Sequence, residues 1–138
     1  MVDLVDEPSA GDDEVDRAFA RLSRAGKRPS VEAVLHAVCL STGQATVVGH
    51  THPVAVNVVL CSAHAERLAS EVVFPDQVVV LGSRPVLVPY HDPGLELARA
   101  VKRGIEAHLA EEGKAPRLTT SATTGSWHWA GRPPMCSR

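Results

Sequence analysis

An α/β or α+β domain is what this sequence predicts, on three observations. Short β-branched runs alternate with segments of helical periodicity. Val, Ala and Leu dominate while aromatic residues make up only 4%, a mix suited to packed layers of helices and strands. The length, 138 residues, fits one small domain with a real core.

The elements follow in order. Residues 1–13 are acidic and rich in Gly, Ser and Pro, with too few apolar side chains to offset the entropy of ordering, and are expected to be mobile. Over 14–25, Val15, Ala18, Phe19 and Leu22 recur at helical spacing, and Gly26 stands where a helix terminator belongs. Pro29 halts that conformation, and Ser30 can cap a helix over 31–40 whose buried face would be Val31, Val34, Leu35 and Val38. The run Ala45-Thr46-Val47-Val48-Gly49 reads as a buried strand that delivers His50 to its C-terminal end. Pro53 suits the first turn of a helix reaching residue 61, and 63–70 continue as a second helical piece. Residues 77–81 and 86–88 read as strands separated by the turn residues Gly82-Ser83-Arg84-Pro85. Residues 95–112 form the longest helix, with Leu97, Val101, Ile105 and Leu109 four apart and Gly113 as its stop. From Thr119 periodicity disappears, and 119–138, which hold both tryptophans (Trp127 and Trp129), are expected to be irregular. The folded domain would therefore cover 14–118.

Charge singles out no partner. Charged residues make up 22% and the net charge is −2, so neither nucleic acid nor an anionic membrane is indicated. Cys39, Cys61 and Cys136 form no CxxC pair and leave an odd count, which fits a reducing compartment. Acidic residues follow Met1 closely and no apolar run approaches the roughly 18 residues of a membrane span. A cytoplasmic chain without signal peptide is the expectation.

Two local constellations could carry chemistry. In Gly49-His50-Thr51-His52-Pro53 the histidines lie two apart, so on an extended backbone both imidazoles share a face and can address one ion; the alternative is a pair of polar loop residues. In Pro29-Ser30-Val31-Glu32, Glu32 falls in a first helical turn, where the dipole favours a carboxylate, and shares a face with His36. It is either an acid/base or an ordinary N-terminal helix glutamate. His36 reads more naturally as a packed, hydrogen-bonded histidine than as a ligand.

In joint order, Pro29, Ser30, Glu32, His36, His50, His52, Pro89 and Tyr90 resemble the class II aldolase/adducin family over residues 27–118. That family runs Pro-Ser-Ser-Glu, a helix bearing a His, a strand into His-x-His, then Pro-Tyr before a long helix. The resemblance implies a three-layer α/β/α fold around a mostly antiparallel sheet, here truncated at both ends, and assembly into tetramers with sites between subunits. It implies a divalent metal, usually zinc, with His50 and His52 as two of three histidine ligands, Glu32 as the acid/base, and Ser30 in substrate binding. The chemistry implied is carbon–carbon cleavage or epimerisation of a small sugar or hydroxy-carbonyl substrate through an enediolate. Dehydration and decarboxylation share that logic.

Some of the pattern departs. Val31 stands where many members have a second Ser used for phosphate, and the Gly-Asn-x-Ser and Thr-x-Ser-Gly segments that line the substrate site are absent. So is the Asn-His-Gly-Leu motif that carries the third histidine. Residues 122–136 read in a shifted frame permit Asn-His-Gly-Leu, Val-Ala-Leu-Gly and Asp-Val, so a frameshift near Thr119 is expected to have replaced that ending. Of the other histidines, His64 and His108 fall in helical stretches, His91 is the best spare ligand, and His128 is a weaker one. The alternative to an enzyme is a degenerate, adducin-like domain that keeps the fold without a complete site.

Overall fold

The computed structural model describes residues 2–23 and 26–122, and the backbone of 126–131. The longest helix is its axis. Helix α7 (Leu95–Glu112) spans the predicted residues because one stripe of it, Leu97, Ala98, Val101 and Ile105, is almost fully buried, each large side chain contributing about 1.5–3 kcal/mol. It ends at Gly113, whose φ of +68° is the left-handed stop that glycine adopts without steric cost.

Before α7 come α1 (Asp3–Asp6), α2 (Asp12–Leu22), α3 (Ala33–Ser41), β1 (Val47–Thr51), α4 (Val54–Leu60), α5 (Ala65–Ser70), α6 (Pro75–Leu81) and β2 (Val86–Val88); after it come β3 (Leu118–Ser121) and β4 (Ser126–Gly131). Helix α3 lies on α7 through Val34, Leu35 and Val38, all buried, as their spacing predicts. Val31 is more than half exposed, because α3 begins two residues after it. Ser30 is not the cap: Glu32 holds that position with helical backbone angles and no side-chain capping bond.

The sheet order is β1-β4-β3-β2. β2 pairs with β3 in parallel, and β4 runs antiparallel to β3 and to β1. The sheet is therefore mixed, where the sequence expectation was a mostly antiparallel one. The α7 crossover carries the chain from β2 back to the starting end before β3, and such a connection yields parallel neighbours. Val86 and Val88 point at α7 so closely that a β-carbon added at Gly104 would lie 2.8 Å from Val86 Cγ1.

Three further expectations change. Residues 77–81 are helical, not extended: Pro75 opens α6 at its first turn, and Val79 and Val80 stay exposed rather than entering a pleated core, so period-2 pairing has no partner there. The segment expected to be mobile is packed over its described residues, 2–13: Val5 and Ala10 join the core, and Arg99 donates to the carbonyls of Val5, Glu7 and Ala10 at 3.2, 2.6 and 3.0 Å. A long-range arginine fork, invisible to local composition, orders that segment. Beyond 118 the chain is not irregular where described, because β3 is buried along its whole length and β4 pairs on both sides. The Thr-rich run gives no hydrophobic alternation, yet Thr119, Thr120 and Ser121 are buried, with Thr120 Oγ1 donating to Val86 O at 3.2 Å. Residues 123–125 and 132–138, and with them Cys136 and most of the shifted-frame motif, lie outside the described residues. No described helix is long and apolar enough to cross a membrane.

Candidate metal centre

The site grows from two chain turns that meet. β1 places His50 in its penultimate position, and His52 follows one residue past the strand. The start of α3 presents Glu32, and His36 lies one turn further along. Packing of α3 against β1 brings the four side chains together.

Glu32 Oε2 is 3.7 Å from His50 Nδ1 and Glu32 Oε1 is 4.0 Å from His52 Nε2. One ligand atom from each of Glu32, His50 and His52 can be chosen so that all lie within 4.8 Å of one another. Two imidazoles and a carboxylate form a donor set suited to zinc or a related divalent ion, with ligand bonds of about 2.0–2.2 Å. Three atoms inside this span surround such an ion after small side-chain rotations, so the residues present fit a metal.

His36 joins the cluster at the same His50 nitrogen that Glu32 approaches. Its Nε2 lies 2.8 Å from His50 Nδ1, and the rings meet edge to face at 86° with centroids 5.0 Å apart. The direction of donation depends on tautomer, but either assignment holds the His50 ring in one orientation. The His50 and His52 rings are 4.7 Å apart at their centroids. Burial holds the His50 pKa below the ordinary imidazole value; the Glu32 carboxylate pulls it up, and His36 and His52 press it down. A neutral imidazole is the form that ligates a metal.

Of the residues singled out in the sequence, Glu32, His50 and His52 converge, while Ser30 is exposed in the loop before α3, outside the cluster. The spare, His91, lies elsewhere, in a cavity with Leu87, Val88, Pro89, Ala100, Arg103 and Gly104. His36 was legible only as a packed histidine; its bond to His50 needs the α3–β1 contact, which no local pattern encodes. A cavity of about 140 Å³ opens beside Glu32 and His50, walled by Val31, Leu35, Pro93, Gly94 and Leu97. A larger one, about 350 Å³, is lined by Arg84, His108, Glu112, Lys114 and Arg117 among others and holds no member of the cluster.

Fold and site together define an α/β domain whose strand end and facing helix start carry a carboxylate and two imidazoles that could hold a metal ion. The sequence matches the profile of the Class II Aldolase and Adducin N-terminal domain over residues 5–117. The chain belongs to that family. No curated protein and no solved structure matches it.

Proposed function

We propose that this domain is a metal-dependent carbon–carbon lyase or epimerase scaffold for a small sugar-like or hydroxy-carbonyl substrate, with His50 and His52 holding a divalent metal, zinc by ligand preference. The observation that carries the reading is the convergence of Glu32, His50 and His52 within one ion's reach in a chain of the class II aldolase and adducin family. The metal, when bound, supplies Lewis-acid stabilisation of negative charge on a substrate oxygen.

The chain's own residues do the rest. Glu32 takes or returns the proton at the carbon beside the carbonyl, since its carboxylate faces the same space as the two imidazoles. His50, kept neutral by burial, offers a lone pair instead of a repelling charge. His36 fixes the His50 ring so that little reorganisation accompanies the reaction. Ser30, at the entrance to α3, contributes a hydroxyl to substrate binding. The small cavity against Glu32 is walled mainly by apolar side chains and suits a short carbon skeleton better than a phosphate. A cytoplasmic setting and assembly into a tetramer belong to the same proposal; the exposed run Val72, Val73, Phe74, Val79 and Val80 supports burial between subunits.

A degenerate, non-catalytic domain is the second reading, favoured by exposed apolar Val31 beside the site where a phosphate-binding serine is expected. Zinc titration calorimetry separates the two, with a His50→Ala/His52→Ala double variant as control. Tight binding lost in the double variant supports a working site and warrants aldol-cleavage assays on sugar substrates; binding unchanged by the double variant refutes the metal reading.

A further inference from the structure

The cavity of about 140 Å³ beside Glu32 and His50 continues past the cluster. It shares Val31, Pro93 and Gly94 with a neighbouring cavity of about 280 Å³, whose polar lining is Asp12, Asp16 and Arg28. Asp12 reaches the junction, since a β-carbon added at Gly94 would lie 3.4 Å from its Oδ1. Alone, the smaller space falls short of the roughly 300 Å³ at which small-molecule sites begin, and the two joined pass that size. One groove therefore runs from the cluster of Glu32, His50 and His52 to a charged end.

At that end Arg28 is held in place from two sides. Its guanidinium pairs with the Asp16 carboxylate, and its Cζ lies 5.8 Å from the centroid of the Phe19 ring, a cation–π contact. Phe19 and Val15 line the same cavity and belong to the core, so the charges stand on packed side chains. Carboxylates only accept hydrogen bonds and a guanidinium only donates them. A hydroxyl does both, and neighbouring hydroxyls on one carbon chain can meet Arg28 and an aspartate together. A phosphate satisfies the guanidinium alone, against two carboxylates that repel it. An ammonium group leaves the guanidinium unanswered.

We infer that Asp12, Asp16 and Arg28 form a distal subsite that selects an unphosphorylated polyhydroxy-carbonyl substrate, holding hydroxyls at the end remote from the carbonyl. The inference rests on the metal reading proposed above and deepens it by naming the substrate class. Between the two ends the apolar side chains of Val31, Leu35, Pro93 and Leu97 flank the carbon chain. Binding energy gained at Arg28 and the aspartates, far from the reacting carbon, orients that carbon beside Glu32. The three residues set specificity and take no part in the proton transfer.

The test uses the full, zinc-loaded chain and four unphosphorylated ketoses of rising length as probes: dihydroxyacetone, erythrulose, xylulose and fructose. Affinity is read by ligand-observed NMR titration. In wild type it should rise at least about threefold from the shortest to the longest, because only the longer members reach the charged end. Arg28→Gln and Asp16→Asn should each weaken fructose binding at least about threefold and leave dihydroxyacetone and zinc binding unchanged. Both side chains are more than half exposed, so neither change strains the core. Arg67→Gln, which breaks the exposed Arg67–Glu71 pair on α5, should change nothing. Fructose 6-phosphate should bind wild type more weakly than fructose, and an Asp12→Asn/Asp16→Asn variant should narrow that gap. A smaller rise with length, a smaller fall in either variant, an equal fall in Arg67→Gln, or a phosphorylated ketose bound as tightly as fructose overturns the distal subsite. Zinc binding that is present in wild type and lost in His50→Ala/His52→Ala leaves the metal reading standing in each of those cases. Zinc binding that survives the double variant, or is absent from wild type, overturns both.

Discussion

Substituting Gly104 by alanine tests the packing that sets the sheet beneath the site. The added β-carbon would lie 2.8 Å from Val86 Cγ1 and 3.8 Å from Val88 Cγ2, where carbon atoms prefer about 3.5–4.0 Å. Relief needs a shift of roughly 0.7–1.2 Å at Val86. Val86 is a buried β-branched residue with a stiff χ1, and its strand is tied to β3, so neither side chain nor backbone yields freely. Overpacking of this kind costs about 1–3 kcal/mol, while replacing a mid-helix glycine with alanine returns about 1 kcal/mol. The net expectation is a loss of about 0–2 kcal/mol, or up to roughly 10 °C in Tm for a domain of this size. Urea denaturation of wild type, Gly104→Ala, Val86→Ala and the double variant gives the coupling directly. The double variant should be more stable than the sum of the single effects, because the clashing methyl is gone. Single effects that simply add refute the contact between α7 and β2.

Three further expectations follow from other parts of the molecule. Arg99→Ala strips the carbonyls of Val5, Glu7 and Ala10 of their shared donor; amide exchange over residues 3–12 should accelerate while that of α7 holds, with a stability loss of about 1–3 kcal/mol. His36→Phe removes the hydrogen bond to His50 but keeps a ring of similar shape, so zinc affinity should fall about 10–100-fold without loss of fold, checked by calorimetry beside circular dichroism; unchanged affinity would rule out a positioning role. Burial holds the His108 pKa below its ordinary value, against the upward pull of Glu112 and Glu111 and with Arg84 and Lys114 pressing it down. The unfolded chain therefore takes up its proton first as pH falls, so this contribution is whole above the unfolded value and is lost as pH drops below it. Denaturation midpoints compared at neutral and mildly acidic pH should fall less on acidification in His108→Gln than in wild type.

Much of the architecture is legible before any tertiary contact is known. Helix α7 can be placed from its four-residue apolar spacing and its glycine stop, and α3 from Val34, Leu35 and Val38, because a helix buries a stripe that its own sequence must encode. The pairing of His50 with His52 is legible for a similar reason: residues two apart at a strand end share a face whatever the strand packs on. The joint order of Glu32, His36, His50 and His52 pointed to the family that the match over residues 5–117 then established.

The misread elements share one cause. Residues 77–81 carry a strand's composition but fold as α6, since β-branched residues form a strand only where an edge is available to pair with. Residues 2–13 lack an apolar pattern of their own and are held by Arg99, nearly ninety or more positions away in sequence. β3 buries threonines and a serine that no hydrophobic period announces, with Thr120 Oγ1 bonded to the Val86 carbonyl of the neighbouring strand. The sequence by itself determined which residues are candidate ligands and where α3 and α7 lie, since these depend on neighbours a turn apart. Only the tertiary structure decided the parallel β2–β3 pairing, the His36–His50 bond and the register that sets His128 opposite His50, because strand partners and helix seating are chosen by burial summed over the whole chain.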